Sequence, residues 1–132
     1  MLCGMNKILL VEDDELESRL YVSLFTKHGF DVLALPNGLE CHAKALEYKP
    51  QIIVLDIMMP KMNGFDTLDV LRFDPTTRQI PVLVLTNLSD DHYANEARKR
   101  GAAAFLTKSN VENAHLMQQI TDIIAAYSVP KA

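Results

Sequence analysis

A chain of 132 residues with 48% hydrophobic and 23% charged residues has the size and composition of one globular domain, long enough to fold without disulfide or metal staples. Its net charge of −4 argues against direct nucleic-acid binding, which rests on basic side chains neutralising phosphates. No stretch approaches the ~18 uninterrupted apolar residues of a membrane span. The first residues lack the basic and apolar segments of a secretory signal, and Cys3 and Cys41 form no metal-ligand spacing. A cytoplasmic protein with reduced thiols and no membrane contact is expected.

Short apolar runs alternate with helical stretches, the rhythm of βα units around a parallel sheet. A strand over 7–12 ends in Glu12 and Asp13. The helix over 14–28 places Leu16, Leu20 and Leu24 at fourfold spacing beside Tyr21 and Phe25, one apolar stripe, and Asp14 with Glu17 makes a capping-box pattern. A strand over 31–35 leads to a helix over 38–48 in which His42 is expected to pack partly buried. The apolar run from Gln51 closes on Asp56, and a helix follows over 64–73.

A strand over 81–86 ends in Thr86, and the helix over 90–100 ends in Lys99 and Arg100 before Gly101, where cations complement a helix C-terminus. The last strand, 103–107, delivers Lys108. A helix over 110–127 opens on a Ser109 to Glu112 pattern and carries Leu116, Ile120, Ile123, Ile124 and Tyr127 inward, leaving 128–132 as a short tail. Gly29, Gly38, Gly64 and Gly101 fall between elements, where positive φ or helix termination suits glycine. Acids and one lysine thus sit at the C-terminal ends of strands, and in a parallel sheet such side chains share one crevice.

Taken together, Val11 Glu12 Asp13 Asp14, the run Ile53 to Gly64 around Asp56, Ile80 to Thr86, and Phe105 Leu106 Thr107 Lys108 resemble the receiver domain of two-component response regulators. Four motifs in order, each at a strand terminus, make the likeness specific, and it spans residues 7 to about 127. It implies an α/β, flavodoxin-like (βα)5 fold with strand order 2-1-3-4-5, and a single domain over 1–132 with its core at 7–127. It places Asp56 on the phosphorylated position, Glu12 and Asp13 on the acidic pair, Thr86 on the switch hydroxyl, Phe105 on the switch aromatic and Lys108 on the lysine. Mg²⁺, with Mn²⁺ able to substitute, is then expected on Asp13, Asp56 and the Met58 backbone carbonyl, with Glu12 acting through water. The implied partners are a histidine kinase or histidine phosphotransfer protein and a downstream protein target, with phosphorylation-dependent homodimerisation as one form of output.

The residue types suit that chemistry. Crowded carboxylates repel, and a hard divalent cation relieves the repulsion while taking oxygen ligands. Departures from the pattern are Ser109 where proline commonly follows the lysine, which bears on the peptide geometry there, and Asn87 where a smaller residue is usual. The apolar Met58 and Leu88 flank the acceptor and are expected to slow self-dephosphorylation. An aspartate-nucleophile phosphohydrolase of the haloacid dehalogenase type wants a second aspartate two residues after the nucleophile, where Met58 stands. A flavodoxin wants a Ser/Thr/Gly-rich first turn rather than an acidic one. Excision of the domain from a larger regulator or hybrid kinase is the alternative to a stand-alone receiver.

Overall fold

The central strands alternate side chains between two apolar environments, so the sheet is covered on both faces. In a computed structural model describing residues 6–128, β1 (Lys7–Val11), β2 (Asp31–Leu35), β3 (Ile52–Leu55), β4 (Val82–Thr86) and β5 (Ala104–Thr107) pair in parallel in the order β2-β1-β3-β4-β5. Connecting them are α1 (Glu15–Lys27), α2 (Cys41–Tyr48), α3 (Gly64–Phe73) and α4 (Asp91–Lys99), and α5 (Asn113–Ser128) closes the described chain. This is the flavodoxin-like arrangement that the residue pattern implies. Cys3 and residues 129–132 of the expected tail lie outside the described residues, whereas Ser128 still belongs to α5. Among the described residues no helix is long and apolar enough to cross a membrane.

The core has two layers. Leu9, Val11, Ile53, Leu55, Val82 and Val84 face α2, α3 and α4, while Ile8, Leu10, Ile52, Val54, Leu83 and Leu85 face α1 and α5. Strand order reverses at β1, between β2 and β3, and the crevice beyond the carboxyl ends of β1 and β3 is where such sheets bind ligands.

The helix stripes need correction. Phe25 is fully buried and Tyr21 and Leu24 pack against the sheet as expected, joined by Val22, but Leu16 and Leu20 are 69% and 62% exposed. Residues four apart advance by about 40° around a helix of 3.6 residues per turn, so a strict fourfold stripe drifts off the core. On α5 the expected inward set holds for Leu116, Ile120 and Ile123, with Ile124 partly buried, whereas Tyr127 is half exposed.

Two helix starts shift. An Asn37 side chain accepting from the Leu39 amide and a turn from Gly38 to Cys41 delay α2 to Cys41, and a one-turn 3-10 helix at Lys108–Asn110 delays α5 beyond Ser109. A further 3-10 turn at Thr77–Gln79, unmarked in the sequence reading, is tied down by the buried Thr77 hydroxyl donating to the Leu71 carbonyl at 2.7 Å. His42 is half-buried as expected, but it also meets Asp74 at 2.7 Å through Nε2 and so ties α2 to the loop after α3.

Candidate functional site

β1 and β3 each deliver a carboxylate one residue beyond the strand. The Glu12 amide still donates to Leu35 and the Asp56 amide to Val11, so both side chains emerge from a backbone fixed by the sheet ladder. The loop after β3 turns back closely: a Cβ on Gly64 would stand 2.2 Å from the Asp56 carbonyl oxygen, and only glycine admits that approach. Asn63 caps α3 by accepting from the Asp66 amide.

Asp56 is 6% exposed and Glu12 4%. Asp56 Oδ1 accepts from the Ile57 amide at 2.6 Å and from the Met58 amide at 3.3 Å, which fixes the carboxylate plane. Lys108, carried in by β5, donates to Asp56 Oδ2 at 3.0 Å and to Glu12 Oε1 at 2.5 Å. Glu12, Asp13 and Asp56 each offer an oxygen, all within 4.8 Å of one another. Four of the expected site residues therefore converge.

Burial pushes the Glu12 carboxyl up to about 7, against the hydrogen bonds from Lys108 and the Asp14 amide, with the Asp56 charge adding to the rise. Burial also works against charge on Lys108, but hydrogen bonds to Glu12, Glu17 and Asp56 outweigh it and hold its pKa above the ordinary lysine value. Lys108 stays an ammonium, as a charge-stabilising group must.

The remaining expected residues sit around this centre. Thr86, fully buried at the end of β4, accepts from the Leu88 amide at 3.4 Å. Phe105 is half-buried and packs on the α2–α4 face, paired with Val84 two residues before Thr86, so Thr86 and Phe105 share one side of the sheet. The Met58 side chain is 64% exposed, whereas Leu88 packs partly buried. Asn87 is exposed and stands on the rim of an open groove of about 410 Å³ with Glu17, Tyr21 and Lys108. No described peptide bond is cis, that between Lys108 and Ser109 included.

One site residue escaped the sequence reading. Asp14 caps α1 as expected, accepting from the Glu17 amide at 2.9 Å, but the Glu17 carboxylate does not complete the capping box. It pairs with Lys108 at 3.0 Å, and the Asp14 amide donates to Glu12 at 3.0 Å instead.

A family model described as "Response regulator receiver domain" matches residues 8–121. The chain belongs to this receiver family. It is 33% identical over 121 residues to Protein PilH of Pseudomonas aeruginosa, covering 92% of this chain and 99% of PilH. It is 39% identical over 102 residues to Response regulator PleD of Caulobacter vibrioides, covering 77% of this chain but 22% of PleD. Its fold matches the signal receiver domain of a signal transduction histidine kinase from Syntrophus aciditrophicus with a TM-score of 0.85, at 26% identity and 96% coverage of each chain. Receiver domains are phosphoacceptor signalling modules that bind Mg²⁺ through acidic residues. The oxygen-only set of Glu12, Asp13 and Asp56, with one lysine to offset its charge, fits such a hard cation.

Proposed function

We propose that Asp56 accepts a phosphoryl group from a phosphohistidine of a kinase or phosphotransfer protein, and that the resulting acyl phosphate switches the α4–β5–α5 surface toward a downstream protein. The observation that carries this reading is a buried, backbone-oriented carboxylate held 3.0 Å from a buried ammonium and beside two further acids. Asp13, Asp56 and the Met58 carbonyl, with Glu12 through water, are the groups that would hold Mg²⁺, which supplies charge neutralisation at the phosphoryl oxygens.

An Asp56 oxygen forms a bond to phosphorus as the phosphorus–nitrogen bond of the donor breaks and its electron pair leaves on the imidazole. Lys108 stabilises the charge that spreads over the phosphoryl oxygens, largely because it is already in place. The Thr86 hydroxyl then turns to the phosphoryl group, giving up the bond from Leu88, and the vacated space on the shared face lets Phe105 turn inward. A swing in population from 1:99 to 99:1 requires ~5.5 kcal/mol, within reach of a few charge-assisted hydrogen bonds.

In this proposal residues 1–132 form one receiver domain that acts in the cytoplasm on protein partners. The coverage of 22% of PleD favours a second context, the same domain as the receiver part of a longer regulator, with the same chemistry at Asp56. The test is intact mass after incubation with phosphoramidate and Mg²⁺. Wild type is expected to gain one phosphoryl group and Asp56→Asn none; equal labelling of both contradicts the reading.

A further inference from the structure

The Lys108 ammonium has three N–H donors, and three carboxylates stand within bonding distance of it: Glu12 at 2.5 Å, Asp56 at 3.0 Å and Glu17 at 3.0 Å. Glu12 and Asp56 accept hydrogen bonds from it and Glu17 closes its remaining side as an ion pair, so a phosphoryl oxygen meets an ammonium already surrounded by carboxylates. For Lys108 to hold a phosphoryl group, one of the three must let go.

The three are not equal in what release costs. The Glu12 and Asp56 side chains are 3% and 7% exposed, so neither can exchange Lys108 for water without remaining a buried charge. Glu17 is 33% exposed and opens onto the groove it lines with Leu20, Tyr21, Asn87 and Lys108. It also lies in the first turn of α1, where the helix amides and dipole favour a carboxylate that has lost its cation.

Resting on the acceptor reading above, we infer that Glu17 is a positioning residue that competes with the incoming phosphoryl group for Lys108 and thereby slows phosphoryl uptake. In the resting chain its carboxylate stands against the side of the ammonium that the phosphoryl oxygen later takes. It also places a negative charge at the mouth through which an anionic donor approaches. During transfer Glu17 swings to solvent, Lys108 keeps Glu12 and Asp56, and its third donor turns to the phosphoryl oxygen. The capping role read from the Asp14–Glu17 spacing belongs to the Glu17 backbone amide alone, which leaves the side chain free for this task.

The test compares wild type, Glu17→Gln and Glu15→Gln. Glu15 sits on the same helix with its charge paired to Arg19 in solvent, so it reports the effect of net charge without contact to Lys108. Phosphorylation by phosphoramidate with Mg²⁺ is followed by intact mass, beryllofluoride affinity by NMR titration, and folding by thermal melting. Glu17→Gln is expected to take up phosphate roughly three- to tenfold faster, as suits a partly screened contact, and to bind beryllofluoride more tightly by a similar factor, with Glu15→Gln within about twofold of wild type. A Glu17→Gln rate equal to or below wild type, or an equal acceleration in Glu15→Gln, overturns the inference and leaves Asp56 as acceptor untouched. A wild-type chain that takes up no phosphoryl group removes the acceptor reading and this inference together.

Discussion

The two ends of the sheet each hold a lysine, and they use it in opposite ways. At the N-terminal end Lys7 lies 5.1 Å above the Tyr48 ring and donates to the Tyr48 carbonyl at 3.4 Å, neutral partners in a half-solvated setting. At the C-terminal end Lys108 is buried among three acids. Charge at the first end is kept near water and its removal disturbs little; charge at the second is concentrated, out of water, and held only by mutual compensation. A parallel sheet thus has a structural end and a chemical end, distinguished by how charge is solvated rather than by how well the strands pair.

The largest test of that contrast removes each lysine. Lys108→Met leaves buried Glu12 and Asp56 uncompensated and is expected to lower stability by on the order of 3 kcal/mol near pH 8, while Lys7→Met, losing a cation–π contact, costs under about 1 kcal/mol. Urea unfolding of the two variants checks this, and equal losses would erase the distinction between the ends.

Glycines make a steric version of the comparison. Gly64→Ala drives a Cβ against the Asp56 carbonyl and to 2.7 Å from the Ile57 Cα, with an expected cost of about 2–3 kcal/mol. Gly29→Ala, at the other end, meets nothing within 4 Å but carries φ +90, and only the backbone strain of roughly 1 kcal/mol is expected. Thermal midpoints in that order support a tightly built crevice; a harmless Gly64→Ala would count against it.

Glu12 sharpens the comparison through pH. Its carboxyl, at about 7 when folded, stands above the ordinary 4.5, so the folded chain binds the extra proton between those values. The stability this contributes is present below about pH 4.5 and is lost as pH rises through 7. Without divalent cations, Glu12→Gln is therefore expected to be more stable than wild type at pH 8, by roughly 1–2 kcal/mol, and the gap narrows toward pH 5. Added Mg²⁺ should shrink it at pH 8. A pH-independent difference would contradict a burial penalty at Glu12.

The smallest expected effect is kinetic. With apolar Met58 and Leu88 beside the acceptor, the phosphorylated chain is expected to lose its phosphate slowly by itself, as followed by mass over time. The exposure of the Met58 side chain assigns most of the shielding to Leu88, so Leu88→Ala should speed hydrolysis more than Met58→Ala. The reverse order would move the shield to the rim.

The chemical end was more legible in the sequence than the surface around it. Glu12, Asp56 and Lys108 each follow a strand directly and Asp13 follows Glu12, so pairing the strands brings them together with no further information. Leu16 and Leu20 depart from the expected face because apolar spacing along a helix gives a face only after its drift against 3.6 residues per turn is counted, whereas Tyr127 stays within about 20° of Leu116 and is half exposed one residue from the end of α5. The starts of α2 and α5 depend on local turns, the Asn37 bond and the Lys108–Asn110 turn, that propensity does not resolve. Glu17 was hidden by ambiguity of another kind: its spacing from Asp14 satisfies a capping pattern, and only the placement of β5 beside β4 reveals a lysine that claims the carboxylate.

The central claim is that one carboxylate among those gathered at the crevice carries the phosphoryl group. Borohydride reduction of the phosphorylated chain, followed by peptide mass mapping, reads this directly, because an aspartyl phosphate is reduced to homoserine. The account predicts homoserine at residue 56 and at no other position. Homoserine at Asp13, hydroxynorvaline at Glu12 or Glu17, or a phosphate that survives borohydride on a hydroxyl or imidazole, would contradict it.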